Sequence, residues 1–325
     1  MKSIIYDSFG SPESVLKVAN VDLPEPSAGQ IRVKLLLSCI HNHDLWTIRG
    51  SYGYKPSLPA GAGSEGVGII DALGEGVVGL EIGQRVATAT AHGVWAEFFV
   101  ANASDVVVLP PQVSDESGAQ LIGMPISALL LLDQLNLEKN DWLVQSAANG
   151  AVGRIVERLA DLKGIKTLNL VRRDNAISEL KSSGVKHALS TESSDWLDQA
   201  TEILGDNGAQ AAIDSVGGAL SGKLVQLLGE DGTLVSFGAM SNEPMIISPG
   251  DLIFKHATVT GFWAGRILSI LPSTRTKQLI QELIDLVTKG DLILNTEEIY
   301  SLDNISNAAK TAAMSGRTGK VLLRP

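Results

Sequence analysis

Trp142-Leu143-Val144-Gln145-Ser146-Ala147-Ala148-Asn149-Gly150-Ala151-Val152-Gly153 joins a short apolar run to the start of a helix-like segment. Trp142–Gln145 predicts a strand, and residues 152–163 carry apolar side chains at helical spacing. Gly150 and Gly153 stand at the spacing of the last two glycines of a dinucleotide-binding turn, with Ala148 in place of the first. Each glycine has a physical role. Gly150 lets backbone approach a pyrophosphate, and Gly153 lets the helix pack closely on the strand. The helix start, from Asn149 and Gly150 through Ala151, Val152 and Gly153, offers unpaired N–H groups and the positive end of a dipole. A GxxG by itself is an ordinary turn. A strand before it, a helix after it and a second strand at 167–171 make it a nucleotide site.

The end of that second strand selects the cofactor. An NAD site places Asp or Glu about 20 residues past the glycines, on the ribose hydroxyl. Here Arg172 and Arg173 occupy positions 19 and 20 after Gly153. A guanidinium is planar, always charged and bonds two phosphate oxygens at once. The pair therefore points to the 2′-phosphate of NADPH. Asp174 follows one place later and keeps NADH as the competing reading; a solvated loop is the third.

Outward from this motif, strands at 211–214, 233–237 and 259–262 alternate with helical stretches such as 176–182, which predicts a parallel sheet covered on both faces. The first hundred residues read differently. They are β-rich, with a strand-like run at 31–37 and a glycine-dense stretch around an apolar segment at 67–70. Near residue 119 the period becomes helical; a helix returns at 277–286 and a strand follows Gly319. The fold class is α/β: a β-rich unit formed by 1–118 and 265–325, interrupted by a doubly wound unit at 119–264.

At 325 residues the chain fits two domains of roughly 100–200 residues each. Its net charge of −10 opposes binding to nucleic acid or anionic membrane, so an anionic ligand needs a local basic site. The single cysteine, Cys39, excludes an internal disulfide framework. With no secretory-type segment and no apolar stretch long enough to span a bilayer, a cytoplasmic protein is expected.

The whole layout resembles the medium-chain dehydrogenase/reductases, whose β-rich unit is GroES-like and whose inserted unit is a Rossmann domain. Zinc-carrying members have a cysteine where this chain has His41 and a histidine where it has Ser64. His41, His43, Asp44 and His92 are metal-compatible residue types, with His41 and His43 read as neighbours on an extended segment. Ser64 leaves one arm of such a site without a ligand, so no metal is expected. The closer match is to zinc-free, mitochondrial-type 2-enoyl-thioester reductases. It is carried by His43-Asp44 through Gly50-Ser51-Tyr52-Gly53, by the Gln145 to Gly153 turn, by Arg172, and by Phe237-Gly238-Ala239-Met240 with Lys255, Phe262 and Trp263. Quinone oxidoreductases share the nucleotide turn. The chain departs from the enoyl reductases at His41 and Asn42, where they carry Asn and Pro, and beyond Trp263.

The resemblance implies conjugate reduction of an activated alkene, with Tyr52 as the acid that protonates the α-carbon. A phenol is protonated at neutral pH and so suits that role; read from the residues alone, Tyr52 is an ordinary loop tyrosine. The same resemblance places Phe237, Gly238, Ala239, Met240, Phe262, Trp263 and Lys320 beside the cofactor and implies a homodimer. The small-molecule substrate is a 2-enoyl thioester or enone. The alternatives are an NADPH:quinone oxidoreductase and, in another class, a non-enzymatic NADPH-binding sensor.

Overall fold

The computed structural model describes all 325 residues. They form two compact units, Met1–Pro125 with Lys277–Pro325, and Ile126–Thr276. Both boundaries lie further along the chain than the sequence pattern suggests, for local reasons. Ile122 and Gly123 give their N–H groups to Glu65, and the Gln120 amide donates to Glu116 O, which binds this stretch to the first unit. At the other junction the Arg275 guanidinium pairs with Asp133 of the second unit at 2.9 Å.

The second unit is a six-stranded parallel sheet. In spatial order its strands are His187–Ser190, Lys166–Val171, Trp142–Gln145, Ala209–Asp214, Leu228–Ser236 and Thr258–Gly261. Numbered along the chain, this is the 3-2-1-4-5-6 order of a dinucleotide-binding sheet, reversing between Trp142–Gln145 and Ala209–Asp214. Helix Ala151–Leu162 buries Ile155, Val156, Leu159 and Ala160, the face its spacing dictates. Val144, Leu168, Leu170, Ala212 and Leu234 from the strands pack with Ala200, Leu204, Leu224 and Val225 from the helices. Lys255 is structural. Its Nζ donates to Gln226 O at 2.5 Å and Leu228 O at 2.7 Å, closing the carboxyl end of helix Ala219–Leu227. Strand Thr258–Gly261 is last in its sheet, and Ile253 and Phe254 just before it are exposed.

The first unit holds two sheets. Its larger one runs Thr296–Ser301, Lys320–Arg324, Gln30–Cys39, Gly66–Leu73, Arg85–Thr88 and Val107–Val108, with Phe98–Asn102 also paired to Gln30–Cys39. Alternate residues Ile31, Val33 and Leu35 enter the core against Ile70, Val86 and Phe99. Two register pairs set the polar end of this sheet. Ser38 lies opposite Gly66, and Cys39 opposite Leu322. Glu65, Cys39 and Lys320 are thereby drawn together there. No helix of the chain is long and apolar enough to cross a membrane.

Candidate active site

In the second unit, the expected nucleotide residues gather at the carboxyl ends of the parallel strands, the ligand-binding end of such a sheet. Asn149 and Gly150 lie in the turn after Trp142–Gln145, and helix Ala151–Leu162 begins on Gly150 with no side-chain cap. The first helix-type bond to Gly150 comes from Arg154, which leaves the N–H groups of Ala151, Val152 and Gly153 open to an anion. A Cβ on Gly153 would sit 2.6–2.8 Å from the Ala148 backbone, so only glycine permits this strand–helix approach. These features fit a pyrophosphate. Arg172 and Arg173 follow the next strand, Arg172 exposed and Arg173 half-buried. Phe237, Gly238, Ala239 and Met240 follow Leu228–Ser236. Phe262 and Trp263 follow Thr258–Gly261, the Phe262 ring 5.7 Å from that of Phe237.

Asp214 escapes the sequence reading. It is fully buried at the end of its strand and accepts from Val216 N at 2.8 Å, Gly217 N at 3.0 Å, Ser221 Oγ at 2.6 Å and Ser146 Oγ at 3.2 Å. Ser146 Oγ in turn accepts from Ser215 N at 2.8 Å. One carboxylate thus ties together the two loops on either side of the point where strand order reverses. Its signal, an Asp closing an apolar strand before a Val-Gly-Gly turn, is present in the sequence.

In the first unit, His41 and His43 are not on an extended segment. Helix Asn42–Arg49 begins directly after His41, because Asp44 reaches back to accept His41 N–H at 2.9 Å. The helix ends at Gly50, whose φ of 76° admits the left-handed turn into the Tyr52 loop. Tyr52 is half-buried, its ring 5.8 Å from that of His43. His43 packs against His41 in turn, with centroids 4.8 Å apart. His43 Nε2 lies 2.8 Å from Ser64 Oγ, which donates to Asp44 Oδ1 at 2.7 Å. Of the metal-compatible residues named from sequence, His92 stands apart, stacked on Tyr54.

Behind this array lies a fully buried cluster of Cys39, His41 and Glu65. Glu65 Oε1 accepts from Ile122 N at 2.7 Å and Gly123 N at 3.0 Å, while Oε2 is 2.6 Å from His41 Nε2. His41 Nε2 is also 2.9 Å from Cys39 Sγ. His41 Nδ1 has no partner. A buried bare acceptor costs less than a buried unpaired N–H, which favours a neutral ring with its proton on Nε2, donated to Glu65. Burial raises the Cys39 thiol well above its ordinary range and holds His41 well below its own. Lys320 is buried at the start of the final strand, in the field of Cys39, Asp44 and Glu65, and its ammonium is lowered chiefly by desolvation.

A GroES-like unit carrying a polar array, interrupted by a dinucleotide-type sheet, defines an oxidoreductase architecture. Residues 27–111 match the alcohol dehydrogenase GroES-like domain, and residues 151–288 match the zinc-binding dehydrogenase family. Human mitochondrial enoyl-[acyl-carrier-protein] reductase is 32% identical over 298 residues, 90% of this chain and 80% of that protein. A candidate NADPH:quinone reductase of Bacillus thuringiensis superposes with a TM-score of 0.93 at 26% identity, over 100% of this chain and 98% of that one. The Escherichia coli quinone oxidoreductase complexed with NADPH shares the fold, with a TM-score of 0.91 at 24% identity over 100% of both chains. The chain belongs to the medium-chain dehydrogenase/reductase superfamily and is an oxidoreductase. The mitochondrial enoyl reductases are its relatives across nine-tenths of its length.

Part of that superfamily is named for zinc, and the donors here do not fit one. Tetrahedral zinc at about 2.0–2.3 Å from each ligand needs donors about 3.3–3.6 Å apart. His41 Nε2 instead sits 2.6 and 2.9 Å from its two neighbours, at hydrogen-bond range. Ser64 is engaged with His43 and Asp44, and the buried Lys320 ammonium opposes a cation.

Burial pushes the Glu65 carboxyl from 4.5 up to about 7. A carboxyl raised on folding adds stability below its unfolded value and loses it as pH rises through the folded one, here from about 4.5 to 7. Glu65→Gln keeps an acceptor for Ile122 and Gly123 but cannot ionise. Its unfolding free energy, taken from urea titrations, should gain on the wild type as pH rises across that window, by on the order of a few kcal/mol. His41 titrates in both proteins, so the difference isolates Glu65. A difference that is flat with pH would contradict the assignment.

Proposed function

We propose that the protein is an NADPH-dependent reductase of activated carbon–carbon double bonds, with 2-enoyl thioesters or enones as substrates. The observation that carries this reading is Tyr52. It is a half-buried phenol on a glycine-flanked loop, packed on His43 in an array that takes the place of a metal, in a chain whose relatives are named enoyl reductases. NADPH is the cofactor. Asn149 to Gly153 hold its pyrophosphate, Arg172 and Arg173 its 2′-phosphate, and Phe237 to Met240, Phe262, Trp263 and Lys320 border it. When bound, it supplies hydride to the β-carbon. The chain itself supplies the proton. Tyr52 gives its phenolic hydrogen to the α-carbon as charge collects on the carbonyl oxygen.

NADPH:quinone reduction is the second reading, supported by the Bacillus thuringiensis structure. A quinone takes its proton at oxygen, from water, and so depends less on Tyr52. A panel of crotonyl-CoA, simple enones and quinones with NADPH separates the two. Tyr52→Phe should lower enoyl-thioester turnover by about 10²–10⁴, while Tyr54→Phe, which alters a ring stacked on His92 instead, changes it little. Undiminished crotonyl-CoA reduction by Tyr52→Phe removes the catalytic role. Quinone turnover without any enoyl turnover selects the second reading, and NADPH binding without turnover on the whole panel selects the sensor.

Cofactor choice is tested separately. Arg172→Ala with Arg173→Ala should weaken NADPH by on the order of 1–3 kcal/mol through lost charge-assisted bonds, with NADH unchanged. Equal wild-type affinities for the two cofactors refute the 2′-phosphate assignment.

We further propose that the protein is a cytoplasmic homodimer. The outer edge of Thr258–Gly261, flanked by exposed Ile253 and Phe254, is an open strand edge that a second copy would cover. Light scattering over a concentration series should give twice the chain mass; monomer at every concentration overturns it. The single, fully buried thiol supports a reducing compartment. A fluorescent fusion concentrated in an organelle would refute the location.

A further inference from the structure

The direction of each proton around Ser64 is fixed by chemistry. The Asp44 carboxylate only accepts, and one of its oxygens already takes His41 N–H. Ser64 therefore spends its hydroxyl hydrogen on Asp44 at 2.7 Å, and its Oγ accepts from His43 Nε2–H at 2.8 Å. This is not the arrangement that activates a serine, since the Ser64 hydrogen points away from the histidine. It fixes a tautomer instead. Neutral His43 carries its hydrogen on Nε2, and Nδ1 is the atom left to take up and release a proton. Asp44 Oδ1 lies 3.5 Å from His43 Nε2. The imidazole is 28% exposed to solvent and stacks on the Tyr52 ring, with centroids 5.8 Å apart. The titratable groups around it are Asp44, His41, Tyr52 and Glu65.

We propose that His43 is a proton carrier that acts through Tyr52, returning to the phenolate the proton given up in each turnover. This rests on Tyr52 being the α-carbon acid. The steps balance. The Tyr52 O–H bond breaks and its proton joins the α-carbon, using the electron pair released from the alkene. The His43 Nδ1–H bond then breaks and the phenol O–H is restored, directly or through a water. Neutral His43 takes its next proton from solvent. Ser64 and Asp44 hold the ring throughout and are not consumed.

His43→Gln tests this, because the glutamine amide can still donate to Ser64 but cannot carry a proton. With crotonyl-CoA and NADPH, kcat should fall about tenfold or more, KM and NADPH affinity should hold, and the pH profile should lose its imidazole limb. Added imidazole should restore kcat in proportion to its concentration, and should leave the wild type unchanged. Ser64→Ala, which keeps the imidazole but cuts its link to Asp44, should shift that limb to lower pH. Should His43→Gln fail to fold, the Ser64→Ala profile decides. A His43→Gln protein with wild-type kcat, pH profile and indifference to imidazole overturns the proposal, as does an unshifted Ser64→Ala profile. Tyr52→Phe is measured alongside. If it is inactive while His43→Gln behaves as wild type, the carrier role alone fails. If it is active, the Tyr52 reading fails first.

Discussion

The Glu65 carboxylate is the constraint on which the first unit's site rests. Its position follows from the Ser38–Gly66 register, which sets Glu65 beside Cys39 at the end of the sheet. From there it takes the N–H groups of Ile122 and Gly123, just before helix Gly123–Leu135 begins, and faces His41 Nε2. A buried carboxylate of this kind is costly to strand without partners. Strand end, helix entry and histidine ring are therefore held in one arrangement. His41, once held, sets the start of helix Asn42–Arg49 through Asp44, and that helix carries His43 toward Ser64 and ends at the Tyr52 loop.

The second unit uses the same device. Asp214 collects two backbone N–H groups and two hydroxyls at the point where strand order reverses. In both units a buried acid at a strand end gathers loops whose own side chains are small, such as Ser146, Gly217 and Gly123. Loops built this way present backbone and little bulk, which suits a ligand that approaches the main chain closely.

The position that holds a metal elsewhere in the superfamily is occupied here by hydrogen bonds. A metal ion joins its ligands and also polarises a substrate oxygen. The first role falls to the shared proton between His41 and Glu65, with the Lys320 ammonium supplying positive charge nearby. Beside them the Tyr52 and His43 rings pack together.

The sequence by itself determined the nucleotide half of this protein. The strand, the Gly150–Gly153 turn, the helix and the next strand, which ends just before Arg172, lie within about thirty residues, and local spacing marks each of these elements. Periodicity likewise separates the β-rich and doubly wound units, though it misses strand His187–Ser190 and short helices such as Trp196–Leu204 and Ile305–Ala313, which span about two turns each. Only the tertiary structure decided the other half. Cys39 meets Glu65, and His43 meets Ser64, across more than twenty residues of chain, through a strand register that no spacing rule encodes. The segment after His41 reads as extended and is a helix, because an acid three places on bonds back to the His41 N–H. That packing sets His41 against Glu65 and His43 against Ser64.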